Sequence, residues 1–278
     1  MAITERLQFI QVGELVKGIS EDPLPADGRL TGTSLTLHTE DGTVLRLTFA
    51  APERLLWQAL DGPDAGAEGE EHVIITRPRE EVAVVEYIAS SRRATAVTVV
   101  LDLPQGVATV VTGTLPTIEA ASRSAFDLAT RGEELTLVDA AIAPAFIDRA
   151  WAPGKHPHLP TGDLVGKRVQ YVYSRSEAYE HIYLTEDLYT WHCLRGSEQG
   201  LADTDRCHCR KIGDDLYLFV WREKIIPTLG VVLVDWHAMR SNGRLFGYED
   251  ADFARLSTTR ISSRATLLNV TEYPGARA

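Results

Sequence analysis

The chain has 278 residues, 44% hydrophobic and 24% charged, enough for one large domain or two smaller ones, each burying its own core. A formal net charge of -11 argues against a general attraction to nucleic acid or anionic lipid. There is no long apolar run, "MAITERLQF" lacks the plan of a secretory signal, and three clustered cysteines make no disulfide framework, so a reducing cytoplasm is the expected location.

In chain order, residues 3–19 carry an amphipathic pattern that predicts a turn and a helix. "TSLTLHTEDGTVLRLTF" then alternates as two strands, with "EDGT" (40–43) as the hairpin turn. "EVAVVEYIA" and "TAVTVVLDL" continue the β pattern, and residues 118–131 predict a second helix. "RAWAPGKHPHLPTGD" (149–163) is rich in Pro, Gly and His and reads as a linker between two halves, 1–150 and 151–278. Beyond it, "DDLYLFVW" and "GVVLVDWHAM" are again strands. Seven or eight strands per half, joined by short turns, predict an all-β chain of two tandem antiparallel barrels with a few short helices.

The two halves repeat. A shift of 134 carries Gly28, Leu30 and Gly32 onto Gly162, Leu164 and Gly166, and Trp57, Leu60 and Gly62 onto Trp191, Leu194 and Gly196. Gly113 falls on Gly247, and with a local gap Asp102 meets Asp235. The same shift carries Leu45, Leu47 and Phe49 onto Tyr179, His181 and Tyr183. Alternate residues share a face, so one face is plain core in the first half and carries ionisable aromatic groups in the second. If that face points inward, the first barrel is filled and the second holds a decorated cavity, where the chemistry is expected.

Within "YEHIYLTEDLYTWHCL", an even turn sets His181 opposite His192, and an odd one sets it near Trp191 and Cys193. On "LYLFVWRE", Tyr217, Phe219, Trp221 and Glu223 share a face, so Glu223 continues an aromatic row and is a candidate acid or base. Asp235 and His237 lie two apart, a spacing for a pair that fixes the imidazole tautomer, although the match to Asp102 gives Asp235 a turn-capping alternative. Glu180 and Arg222 read as exterior pairing residues, and Asp203 and Asp205 in "GLADTD" as loop-and-turn residues. His192-Cys193 and Cys207-His208-Cys209 lack the paired spacing of a structural zinc site, so no metal is expected and the cysteines read as small buried apolar groups. No phosphate loop, dinucleotide fingerprint or Ser-His-Asp order is present.

"YEHIYL", "YTWHCLRGSEQGLADTD", "LFVWREKIIPTLGVVLVD" and "SNGRLFGYED" resemble the C-terminal half of the molybdenum cofactor biosynthesis protein F (MoaF) family, and the first half is similar to its companion domain by length and order. The resemblance implies two lipocalin-like barrels. The family name implies a role in molybdenum cofactor assembly, and members are associated with monoamine-regulated operons. "VWREKIIPTLG" also resembles a short segment of the phenolic acid decarboxylases, lipocalin-like lyases that work without a cofactor.

The expected function is therefore a lyase or isomerase without organic cofactor, acting on a small aromatic or amine-derived molecule in the C-terminal barrel. His181, Glu223 and His237 are the expected catalytic groups; Tyr179, Tyr183, Trp191, His192, Tyr217, Trp221 and Asp235 line the pocket. Simple ligand binding and an accessory role in molybdenum cofactor formation are the alternatives. The expected partners are the small ligand and a second copy of the chain, with neither nucleic acid nor membrane.

Overall fold

The computed structural model describes residues 8–19 and 22–272. The chain forms two compact units, each built on a closed eight-stranded antiparallel barrel. None of its described helices is long and apolar enough to cross a membrane.

One unit comprises Leu24–Thr114 and Asp139–Leu159. Its strands are β1 (Ser34–Thr39), β2 (Val44–Ala51), β3 (Arg54–Asp61), β4 (Glu68–Arg79), β5 (Val82–Ile88), β6 (Thr95–Asp102), β7 (Val107–Thr114) and β8 (Asp139–Ile147), closed by pairing of β1 with β8. Residues 40–43 form the β1–β2 turn, as their sequence predicts. The interior is mostly aliphatic, with Leu37, Leu47, Phe49, Leu55, Val73 and Ile75 almost fully buried. The expected linker is in part packed structure. His156 Nε2 lies 3.0 and 3.1 Å from the carbonyl oxygens of Ala108 and Ala145, His158 Nδ1 is 2.9 Å from Thr109 Oγ1, and Trp151 packs on Phe146.

The other unit holds β9 (Lys167–Val172), β10 (Ala178–Tyr183), β11 (Leu188–Arg195), β12 (Ala202–Gly213), β13 (Leu216–Glu223), β14 (Thr228–Asp235), β15 (Arg240–Tyr248) and β16 (Leu256–Val270), closed by β16 on β9. Two segments from earlier in the chain belong to it, so its bounds differ from a single cut at 150. The first carries α1 (Val12–Leu15), far shorter than the 3–19 pattern predicts; residues 3–7 lie outside the described part. The second runs over 115–138, where the expected helix is split into α2 (Ile118–Ala121) and α3 (Ala125–Thr130). Ser124 explains the break, because its hydroxyl accepts the Asp127 N–H and starts a new helix. This segment covers the outer face of β13: Arg222 donates to Glu134 (2.9 Å) and to the Val138 carbonyl (3.2 Å). With that cover, β13 is buried on both faces along seven of its eight residues.

The repeat extends to hydrogen bonds. Trp57 Nε1 donates to Glu71, which also accepts the Ser90 N–H; Trp191 Nε1 donates to Asp205, which accepts the Lys224 N–H. All three positions differ by 134. Asp102 and Asp235 each accept the N–H three residues on, of Gln105 and Ala238, so both cap the turn after their strand.

Candidate functional site

The C-terminal barrel interior is built from alternate residues of its strands, and it is aromatic where the other barrel is aliphatic. Positions 45, 47, 49, 55 and 89 of the first barrel are Leu, Leu, Phe, Leu and Ala; 134 residues on they become Tyr179, His181, Tyr183, Tyr189 and Glu223. Five residues, 184–188, separate the paired Tyr183 and Tyr189, so the register is the odd one: His181 faces Trp191, Tyr179 faces Cys193 and Tyr183 faces Tyr189. His192 therefore pairs with Glu180 on the outer face, where its Nδ1 is 2.9 Å from a carboxylate that Arg168 also grips with two bonds.

His181 is buried inside a ring of aromatics, with centroids of Tyr171 at 4.7 Å, Tyr189 at 5.0 Å, and Phe219 and Trp221 both at 6.0 Å. Its Nδ1 is buried without a hydrogen-bond partner. Burial among apolar rings disfavours the charged form and takes its pKa down to about 3, so the imidazole is neutral at physiological pH. It borders a cavity of about 40 Å³, together with Tyr179, Tyr189, Trp191, Trp221 and Glu223.

Trp221 lies flat across the strand from Gly230; a Cβ there would come within 2.1 Å of the indole, so only glycine leaves room for the ring. The indole N–H donates to Glu223 Oε1 at 2.9 Å. Glu223 is half-buried, its carboxyl enclosed by the barrel wall. Desolvation first, then repulsion from Asp205, hold that pKa well above the usual carboxylate range. Asp205 is raised by burial too, but the Lys224 ammonium 3.4 Å away, the Trp191 N–H (2.9 Å) and the Lys224 amide (3.1 Å) favour its ionised form. Of the two acids, Glu223 holds the proton.

Sequence reasoning missed Asp205, which sits buried within β12 and not in a loop. It also missed Glu198. That carboxyl accepts the Tyr179 hydroxyl (3.3 Å) and the Ile10 N–H (3.2 Å), and burial raises its pKa. The Ile10 bond ties the N-terminal segment to the barrel. Leu15 and Ile19 line the cavity, Phe9 meets Trp191 edge-on at 6.0 Å, and Val12 sits so close to Gly247 that a Cβ there would lie 2.3 Å away. Tyr173 and Tyr189 also border the cavity without having been singled out; the signal available was their place in the inward alternation with Tyr171 and Trp191.

Other expected site residues lie elsewhere. Tyr183 is interior but deeper, its hydroxyl 2.8 Å from that of Tyr171. Tyr217, six residues from Glu223 along β13, donates to Asp163. Asp235 caps a turn, and His237 is exposed beyond the end of β14, 3.2 Å from Asp215 and 3.8 Å from Asp214. His237 is thus not a group of the barrel interior. Cys193, Cys207 and Cys209 are buried free thiols in the interior, and burial pushes Cys207 up to about 12.

Comparison with known proteins matches two domains in order along the chain. Residues 7–117 match the model of the MoaF N-terminal domain, and residues 158–271 that of the MoaF C-terminal domain. "Protein MoaF" of Klebsiella aerogenes is 37% identical over 273 residues, covering 98% of this chain and 99% of that one. The solved structure of a "putative beta-lactamase" from Burkholderia vietnamiensis aligns with 47% of this chain and all of its own, at 14% identity and a TM-score of 0.32. Two domain matches in order and one relative along nearly the whole length show that the chain belongs to the MoaF family.

Proposed function

We propose that this protein is a cytoplasmic acid–base enzyme, a lyase or isomerase working without an organic cofactor on a small aromatic or amine-derived molecule held in the C-terminal barrel. One observation carries the reading: a neutral imidazole with an orphaned nitrogen and a carboxyl that keeps its proton border the same aromatic cavity. Both groups are displaced from their usual titration in the direction that removes charge, the pattern found where proton transfer is set up in a dry site. Glu223 donates or accepts the proton. His181, too weak a base at about 3 to hold one, orients and polarises the substrate, as Tyr179 and Tyr189 do.

A cavity of about 40 Å³ holds roughly one or two waters, so the substrate gains room only when Leu15 and Ile19 withdraw. The N-terminal segment, held by the Ile10–Glu198 bond and by the contact of Val12 with Gly247, is then the gate. A second reading has an observation of its own: the Glu198 carboxyl beside Tyr179 and Trp191 suits an amine that is bound and not converted.

The test incubates the wild type, Glu223→Gln and His181→Ala with a cell metabolite extract and follows its composition by mass spectrometry. The enzyme reading expects a metabolite consumed by the wild type and spared by Glu223→Gln with its fold intact. Equal consumption by Glu223→Gln sinks it, and a ligand recovered unchanged moves the assignment to the binding protein.

A further inference from the structure

The outer surface of the C-terminal barrel carries a groove of about 400 Å³ lined by Arg175, Arg195, Arg240 and Arg264 together with Ser174 and Ser262. The register shows how the sheet assembles it. Arg240 stands opposite Arg264, Arg264 opposite Val172, Val172 opposite Ala178 and Ala178 opposite Arg195, so three of the arginines lie in one row across five adjacent strands. Arg175 comes from the turn between β9 and β10.

Like charges placed directly across a strand pair destabilise it, a cost that an anion held between Arg240 and Arg264 offsets. Among the described residues lining the groove, Asp22 is the single carboxylate; it accepts from Arg240 at 2.9 Å and is itself largely exposed. Arg240 also donates to the buried Ser262 hydroxyl at 3.0 Å, which fixes one guanidinium in place. Arg175, Arg195 and Arg264 are exposed. Arg195, Arg240 and Arg264 face one carboxylate among the described lining residues, on a chain of net charge -11, a local reversal of the field.

We propose that this groove binds a phosphate dianion, free or as the phosphoryl group of a small metabolite. Guanidinium forks match phosphate oxygens two at a time, and several forks lining one groove offer a tetrahedral dianion more donors than one planar carboxylate uses. The volume lies in the range of small-molecule sites, which leaves space for an organic portion beside the phosphoryl group. The Asp22 carboxylate holds the place of the anion on Arg240 until the ligand displaces it. The site stands apart from the barrel cavity and does not depend on any reaction there.

Isothermal titration calorimetry of the full chain with inorganic phosphate and with phenyl phosphate, at one ionic strength, tests the proposal. Saturable one-site binding is expected. Arg264→Gln and Arg175→Gln each weaken it by about tenfold, the loss of a charge-assisted contact. Asp22→Asn tightens it several-fold by removing the competing carboxylate, a gain that a folding defect does not produce. Tighter binding of phenyl phosphate identifies a phosphorylated metabolite, and equal binding the free anion. Absence of saturable binding to the wild type, or unchanged affinity in the Arg264→Gln variant, overturns the site.

Discussion

Glu223→Gln isolates the feature on which the site depends. The amide has the shape of the protonated carboxyl and can still accept the Trp221 N–H through its oxygen, so the folded structure loses no contact. In the unfolded chain Glu223 ionises near its ordinary value of 4.5, whereas in the folded barrel it keeps the proton. The native state then binds more protons than the unfolded one, and stability falls as pH rises above 4.5 until the native pKa is reached. The slope is about 1.4 kcal/mol per pH unit for one proton. Against the wild type, Glu223→Gln is neutral below pH 4.5 and gains relative stability above it, rising at up to that slope until the native pKa is reached. Guanidinium melts at a series of pH values, followed by tryptophan fluorescence, measure this difference in the transition of the C-terminal unit. A difference that does not change with pH, or one that runs the other way, refutes the protonated carboxyl.

His181 gives the mirror image. Its native pKa of about 3 lies below the ordinary 6.5, so the wild type loses stability as pH falls from 6.5 towards 3, and His181→Leu removes that loss; the same melts on the acid side check it. Gly247→Ala drives a methyl into Val12 and loosens the N-terminal segment, which is read as faster proteolysis near residues 8–19 and a shifted Trp191 emission. Gly230→Ala collides with the Trp221 ring and costs about 1–3 kcal/mol in the same denaturation assay. The three thiols, buried and with raised pKa values, stay unreactive towards Ellman's reagent in the native protein and react together on unfolding.

The barrels and their duplication were legible because period-2 alternation and a fixed shift survive in the sequence. Tyr179, His181 and Tyr183 could be placed inside because their counterparts at 45, 47 and 49 are apolar. Glu223 followed from the aromatic row that it extends. His192 was misplaced because its face depends on whether the preceding loop has an odd or even length, and the sequence leaves that parity open. His237 failed for a different reason: two residues apart means one face only while the strand lasts, and β14 stops at Asp235. Asp205 was hidden because "GLADTD" looks like a turn, while in the fold its carboxyl is caught by an indole and an amide that lie 14 and 19 residues away. Such a partner set becomes visible in sequence only once Glu71 is recognised as its counterpart. Nothing local marks the N-terminal segment as a cover for the barrel, since the contacts of Ile10 with Glu198 and of Val12 with Gly247 span most of the chain.

The claim that the C-terminal barrel is a ligand site is tested most directly by native mass spectrometry of the protein taken from cells, beside a Leu245→Trp variant that fills the cavity. The account predicts a small-molecule adduct on the wild type and none on the variant with its fold intact. A wild type without adduct, or an adduct that persists in Leu245→Trp, contradicts it.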